Sequence, residues 1–145
     1  DVAPSRGLGD VYKRQNIHIL GNVSLVEFNK LLQESSIVML PLNTDAPAGL
    51  IVIFQAASQQ KTVITTSTPV TKEYIDNKTG VLCENNIDQF RKEIEYHLQH
   101  PDIAKAKGKA LYNKLRSECS KELYTSKLYN ILLHNENRIG HTCIL

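Results

Sequence analysis

At 145 residues, with 41% apolar and 22% charged residues, the chain has the composition of an ordinary globular domain with one real core. A formal net charge of +2 leaves no basic footprint for nucleic acid, and no apolar run approaches the roughly 18 residues of a membrane span. The three cysteines, Cys83, Cys119 and Cys143, make no CxxC pair, which argues against a disulfide framework or zinc site and fits small apolar residues in a reducing cytoplasm.

Residues 1–15, DVAPSRGLGDVYKRQ, show neither strand nor helix periodicity. They resemble the translated adapter junctions found at the ends of fragmentary reading frames, and are read as a non-native or disordered leader. The remainder is then a piece of a longer protein. Gly7 and Gly9 make no phosphate loop, because no apolar strand precedes them and no helix follows.

Residues 17–20 form a short apolar run, predicted as a strand, that ends at Gly21 and Asn22. Ser24 and Glu27 have the spacing of a capping box, opening a helix with Leu25, Phe28, Leu31 and Leu32 on one face. Residues 37–42 are apolar throughout, as in a strand covered on both faces, with Pro41 where the chain leaves the sheet. The polar, Pro- and Gly-bearing loop 43–48 leads into a helix over 49–59. A β-branched strand follows at 62–66, and Thr68-Pro69 starts a short helix. Residues 76–78 make a turn and 79–83 a last strand.

From Asn86 the pattern is helical alone. Asn86 with Gln89 reads as a cap, and Ile87, Phe90, Ile94 and Leu98 mark a buried stripe. Pro101 breaks that helix. Ile103, Ala106, Ala110, Leu111 and Leu115 define the next, and Leu123, Leu128, Ile131 and Leu132 a third. Lys105, Lys107, Lys109 and Lys114 are expected on a solvated face, and residues 136–145 as a frayed tail. The five histidines share no ligand spacing, so no metal is assigned.

Strand and helix alternating in this way predict an α/β fold with a doubly wound parallel sheet, followed by C-terminal helices. Ligands of such folds bind beyond the carboxyl ends of the strands. The loops there are 21–24, 43–49, 66–69 and 84–86. In the second, Ala48 and Gly49 let a ligand approach the backbone, and the amides of Gly49, Leu50 and Ile51 are first-turn donors suited to a diphosphate. Gln55, two turns in, offers an oxygen and an amide to a sugar diol. The plainer reading is that Gly49 only starts a helix and Gln55 only satisfies a loop.

The order of these parts carries a resemblance. GNVSLVEFNKLLQESSIVMLPL, followed by PAGLIVIFQAASQQKTVITTSTPVTKEYIDNKTGVLCEN, resembles the C-terminal half of a GT-B glycosyltransferase of the family-four, retaining type, over residues 17–133. The resemblance implies a Rossmann-like domain over 16–135 that binds a nucleotide-diphosphate sugar, from an enzyme of hexosyltransferase type. By position, Gly21, Asn22 and Val23 would border the base. Ala48, Gly49, Leu50 and Ile51 would hold the donor's phosphates and sugar, and Gln55 the ribose. Thr68 and Glu73 fall at the turn and glutamate after the "PVI" strand, Glu73 in a structural role.

Two departures stand out. Gln55 and Pro47 occupy the places of the family's paired glutamates, so no catalytic acid carries over, and Asp45 or Thr44 is left to reach the sugar. The family's diphosphate-gripping Arg and Lys and its N-terminal acceptor domain belong to parts this chain does not contain. The resemblance therefore implies a donor-binding piece, inactive alone, with no cofactor beyond the donor substrate. It further implies a cytoplasmic setting and peripheral membrane association only through the missing parts. A receiver-like domain is disfavoured, because residues 37–42 run into asparagine where a phosphate-accepting aspartate would stand. A noncatalytic binding or scaffold module remains the alternative, supported by the lost glutamates.

Overall fold

The computed structural model describes residues 17–44 and 46–136. The elements are α1 (Leu25–Glu34), β1 (Ile37–Leu40), α2 (Leu50–Ser58), β2 (Thr62–Thr66), α3 (Pro69–Tyr74), β3 (Val81–Cys83), α4 (Ile87–Gln99), α5 (Pro101–Glu118) and α6 (Lys121–Glu136).

The three strands form a parallel sheet in the order β1-β2-β3, with Ile37 opposite Thr62 and Thr66 opposite Cys83. Parallel neighbours need crossover connections, and α2 and α3 supply them. Helices cover both faces. On one, Val38 and Val63 pack against Ile53, Ala56 and Ala57 of α2 and Leu111 and Leu115 of α5. On the other, Ile64 and Cys83 meet Phe90 of α4, with Ile37 and Ile94 alongside. The fold is the expected doubly wound α/β arrangement.

Central β2 is buried at all five positions although three of them are threonine. Buried hydroxyls need partners. Thr62 donates to the carbonyl of Ala104, Thr65 donates to that of Leu40 at 2.8 Å, and Thr66 accepts from the amide of Leu42 at 2.8 Å. These bonds tie β2 to α5 below and to both ends of the β1 turn above.

Helix starts follow their sequence signals. Ser24 and Glu27 make the reciprocal capping box, with the Ser24 amide 2.9 Å from the Glu27 carboxylate. Thr68 caps α3 with Thr71, Pro69 takes the first helical position, and the Asn86 side chain accepts from the amides of Asp88 and Gln89. The expected break at Pro101 separates α4 from α5.

Several expectations are corrected. Residues 17–20 are not a strand: Ile17, Ile19 and Leu20 are exposed and no neighbouring strand is described on that edge. An apolar run becomes a strand only where a partner takes its backbone bonds. β1 is an edge strand among the described residues: it buries Val38 on one face, while on the other Ile37 packs toward α4 and Met39 is half exposed, so the second face is only partly covered.

In α4 the inward stripe is Phe90, Ile94 and His97, with Ile87 and Leu98 exposed. In α5 it is Ala104, Gly108, Leu111 and Leu115, with Ile103 and Ala106 outside. Gly108 sets that rotation, because only a residue without a Cβ fits against the Gln60 backbone. Of the expected α6 stripe only Leu123 is partly buried, and Leu128, Ile131 and Leu132 are exposed.

The lysine face is also divided. Lys107 donates to the carbonyls of Asn77 and Gly80, and Lys114 pairs with Asp76 at 3.0 Å, so both fasten the turn before β3. Burial pulls the Lys107 pKa below its usual value, against the pull of Glu93 and Asp76. The leader and the tail beyond residue 136 lie outside the described residues.

Candidate functional site

A cleft of about 250 Å³ opens beyond the carboxyl ends of all three strands. Leu42, Asn43 and Thr44 come from the loop after β1, Thr66, Ser67 and Thr68 from the end of β2, and Glu84 and Asn85 from the loop after β3. Three of the four loops expected at this edge therefore meet in one place. The fourth does not line it.

Hydrogen bonds between the wall residues and to the buried Thr71 behind them tie the three loops together. Thr66 fixes the amide of Leu42, so the departing β1 chain is stapled to β2. Thr71 is wholly buried; its hydroxyl donates to the Thr66 carbonyl at 2.7 Å and accepts from the Thr68 amide at 2.9 Å. The Ser67 amide donates to the Cys83 carbonyl at 2.7 Å, continuing the β2–β3 ladder one residue past the strand. Across the mouth, Asn85 donates to Asn43 at 3.3 Å. In the loop itself Thr44 accepts from the Ala46 amide at 3.1 Å.

The start of α2 borders this cleft. Gly49 is the N-cap, with φ +76° and no side chain capping the helix. Glycine adopts that left-handed conformation without the steric cost a Cβ brings. A Cβ here would lie 2.6 Å from Leu40 Cδ2 and 3.3 Å from Cδ2 of Leu42, a cleft-wall residue. First-turn amides of a helix have no acceptor within it. Those of α2 therefore sit at a dipole end that favours anions.

The sequence-derived site residues separate on this geometry. Ala48, Gly49 and Leu50 are half-buried at the start of α2, while Ile51 beside them is 75% exposed. Gln55 is half-buried on the second turn and does not line the cleft. Gly21, Asn22 and Val23 are exposed ahead of α1, with Asn22 at φ +53°, and are likewise not part of the cleft wall. Asp45 lies outside the described residues.

Sequence reading passed over Ser67, Asn43, Asn85 and Thr66 as site residues. The signal was present, since each is a small polar residue at the carboxyl end of a strand, but no single motif marks them. Their chemistry is that of hydroxyls and amides. Among the described residues Glu84 is the one charged residue of the wall, and no lysine or arginine lines it.

Other reactive groups are quiet. Cys83 is wholly buried, and burial together with the charge of Glu93 pushes its thiol up to about 11, so it stays protonated and packs as an apolar residue. Cys119 is exposed, and Cys143 lies outside the described residues. Among the described residues no three of His, Cys, Asp and Glu gather to hold a metal ion, and no helix is long and apolar enough to cross a membrane.

Residues 11–115 match the family model described as Glycosyl transferases group 1. The match takes in residues 11–15 of the expected leader and ends at Leu115 in α5, so it contains the whole sheet and every loop of the cleft. No curated protein matches the chain.

Proposed function

The chain belongs to the group 1 glycosyltransferases, and from that premise we propose that it holds a nucleotide-diphosphate-sugar donor for transfer with retention at the anomeric carbon. The observation that carries this reading is the polar cleft at the carboxyl edge of the sheet, bordered by the Gly49-opened start of α2. Backbone amides there would stabilise negative charge on the diphosphate as its bond to the sugar breaks. The hydroxyls of Thr44 and Ser67 and the Asn43–Asn85 pair would orient the sugar or ribose. Ala48 and Gly49 permit close approach, with Leu50, Ile51, Gln55 and Asp45 as neighbouring contacts and Gly21 to Val23 toward the base.

In such a transfer the sugar's bond to the diphosphate oxygen breaks, the diphosphate keeps the electron pair, and the acceptor oxygen takes the anomeric carbon and gives up its proton. Among the described residues this cleft supplies amides and hydroxyls but no cation, and a leaving diphosphate would be held more strongly by charge-assisted bonds from Arg or Lys. The proposal therefore includes an acceptor domain and basic donor contacts from outside the cleft, no cofactor besides the donor, and a cytoplasmic setting. The chain by itself is expected to transfer no sugar. Measurable sugar transfer by this chain would overturn that part.

Pro47 and Gln55 favour a second reading, a noncatalytic binding module that keeps the fold without the paired glutamates. Titrating UDP, GDP and ADP separately and following thermal unfolding decides between them. The donor-binding reading expects stabilisation by one nucleotide in preference to the others. No shift with any of the three favours the module.

A further inference from the structure

The cleft at the carboxyl edge of the sheet is smaller than the donor proposed for it. Its space of about 250 Å³ equals roughly eight waters at ~30 Å³ each, enough for one sugar ring and too little for a nucleoside and a diphosphate together. The wall chemistry decides which part enters. A base wants a broad apolar or aromatic face, and Leu42 is the one large apolar side chain of the wall among the described residues. A diphosphate is gripped best by lysine or arginine, and neither lines the cleft among those residues. What remains is a surface of amides and hydroxyls. Asn43 and Asn85 meet across the mouth at 3.3 Å, and Thr44 and Ser67 add their hydroxyls. Together these groups offer more donors and acceptors than a ribose diol can use, and they suit the many hydroxyls of a hexose.

Glu84 adds the only charge of the wall among the described residues. Its main chain is already engaged: the amide donates to Gln89 Oε1 at 2.8 Å, and the carbonyl accepts from the Asn86 amide at 2.6 Å. The residue is exposed, and none of the ion pairs among the described residues uses its carboxylate. What Glu84 has left to offer a ligand is therefore an uncompensated negative charge that only accepts hydrogen bonds. Sugar hydroxyls can donate to it. A ligand carboxylate cannot, and with no cation in the wall to offset the pair, the two charges repel.

We propose that the sugar held in this cleft is an uncharged hexose, and that Glu84 is a specificity residue that turns away sugars bearing a carboxylate. Resting on the donor-binding reading, this adds to it the class of sugar. The diphosphate then lies at the rim, where the first amides of α2 have no acceptor within the helix.

The test titrates the full chain with UDP, GDP and ADP, then with the glucose, galactose and mannose conjugates of the preferred nucleotide and the uronate counterpart of each. At least one neutral conjugate should bind more tightly than the bare diphosphate, and about tenfold more tightly than its own uronate at low salt. Raised salt should narrow that ratio. Glu84→Gln keeps the size of an exposed side chain, so its unfolding midpoint should match that of the wild type. It should raise uronate affinity about three- to tenfold, and affinity for the bare diphosphate by less. A uronate bound as tightly as its neutral counterpart would overturn the inference, and so would a ratio unchanged in Glu84→Gln. An equal gain for the uronate and the bare diphosphate would place Glu84 at the phosphates and overturn it too. Absence of binding by all three diphosphates would take down the donor-binding reading and this inference with it, a failure distinct from the others.

Discussion

Gly108 of α5 rests directly on the backbone of Gln60: a Cβ at Gly108 would overlap the Gln60 carbonyl oxygen and lie 2.6 Å from its carbon. Gln60 itself holds φ +54° in the turn between α2 and β2. Here α5 meets the turn backbone on backbone, with no flexible side-chain end to give way. Alanine at this position would return ~1 kcal/mol in helix propensity. The overlap should outweigh it, for a net loss of about 1–3 kcal/mol. Urea unfolding of Gly108→Ala checks this, with Gly21→Ala as control, where an added Cβ meets nothing within 4 Å. Equal midpoints for the two variants would show that α5 can move off the turn.

Thr71 links the cleft at the carboxyl edge of the sheet to the core. Replacing it with valine keeps the shape but strands the Thr68 amide and removes a donor from the Thr66 carbonyl. The expected loss is about 1–3 kcal/mol. Thr71→Ser, which keeps the hydroxyl, should lose far less. Both Thr66 and Thr68 line the cleft, so nucleotide affinity should fall in the valine variant even at temperatures where it is fully folded.

Asp76 gives a pH signature. Burial opposes its ionisation, but the Lys114 ammonium, the Lys78 amide and the Thr79 hydroxyl outweigh that and hold its pKa at about 2, below the ordinary 3.8. A carboxyl depressed in the folded state stabilises above its unfolded pKa and loses that contribution as the pH falls through the folded one. Stability should therefore decline between about pH 4 and about pH 2, and Asp76→Asn should flatten that part of the profile. Urea midpoints across the range measure it. An unchanged slope in the variant would place the acid sensitivity on other carboxylates.

How much of this was legible beforehand differs by element. Ser24 with Glu27, Thr68 with Pro69, and Pro101 announced helix boundaries because a cap needs only a local partner three residues away. The strand alternation announced the sheet for the same reason. What failed depended on neighbours far along the chain. The apolar run at 17–20 has no described strand beside it, and Met39 is half exposed on a β1 that is an edge among the described residues. In α5 Leu111 and Leu115 face inward as expected, but Ala104 and Gly108 replace Ile103 and Ala106 where Gly108 docks on Gln60, a contact no periodicity encodes. Lys107 and Lys114 read as solvated because their partners, the carbonyls of Asn77 and Gly80 and the Asp76 carboxylate, stand some thirty residues away. At the cleft, Gly49 was visible as a glycine opening a helix, whereas Ser67, Asn43 and Asn85 acquire meaning only when three loops converge.

The last prediction separates the two contributions proposed for the donor cleft. Gly49 combines a left-handed φ with contact against Leu40, so Gly49→Ala should lose about 1–2 kcal/mol of stability. It should also weaken nucleotide binding, by displacing the first amides of α2. Loss of binding in this variant alone would not distinguish an amide contact from a disturbed helix. Ser67→Ala supplies the distinction. The Ser67 amide, not its hydroxyl, continues the β2–β3 ladder, so removing the hydroxyl should leave the unfolding midpoint unchanged. If that hydroxyl contacts the donor, affinity should fall roughly two- to tenfold, the equivalent of one hydrogen bond. Titration calorimetry with the preferred nucleoside diphosphate and with its sugar conjugate reads the effect directly. A weaker conjugate with an unaltered diphosphate places Ser67 at the sugar, and equal weakening of both places it at the phosphates or ribose. Wild-type affinity for both would remove Ser67 from the site and leave the start of α2 as the main donor contact.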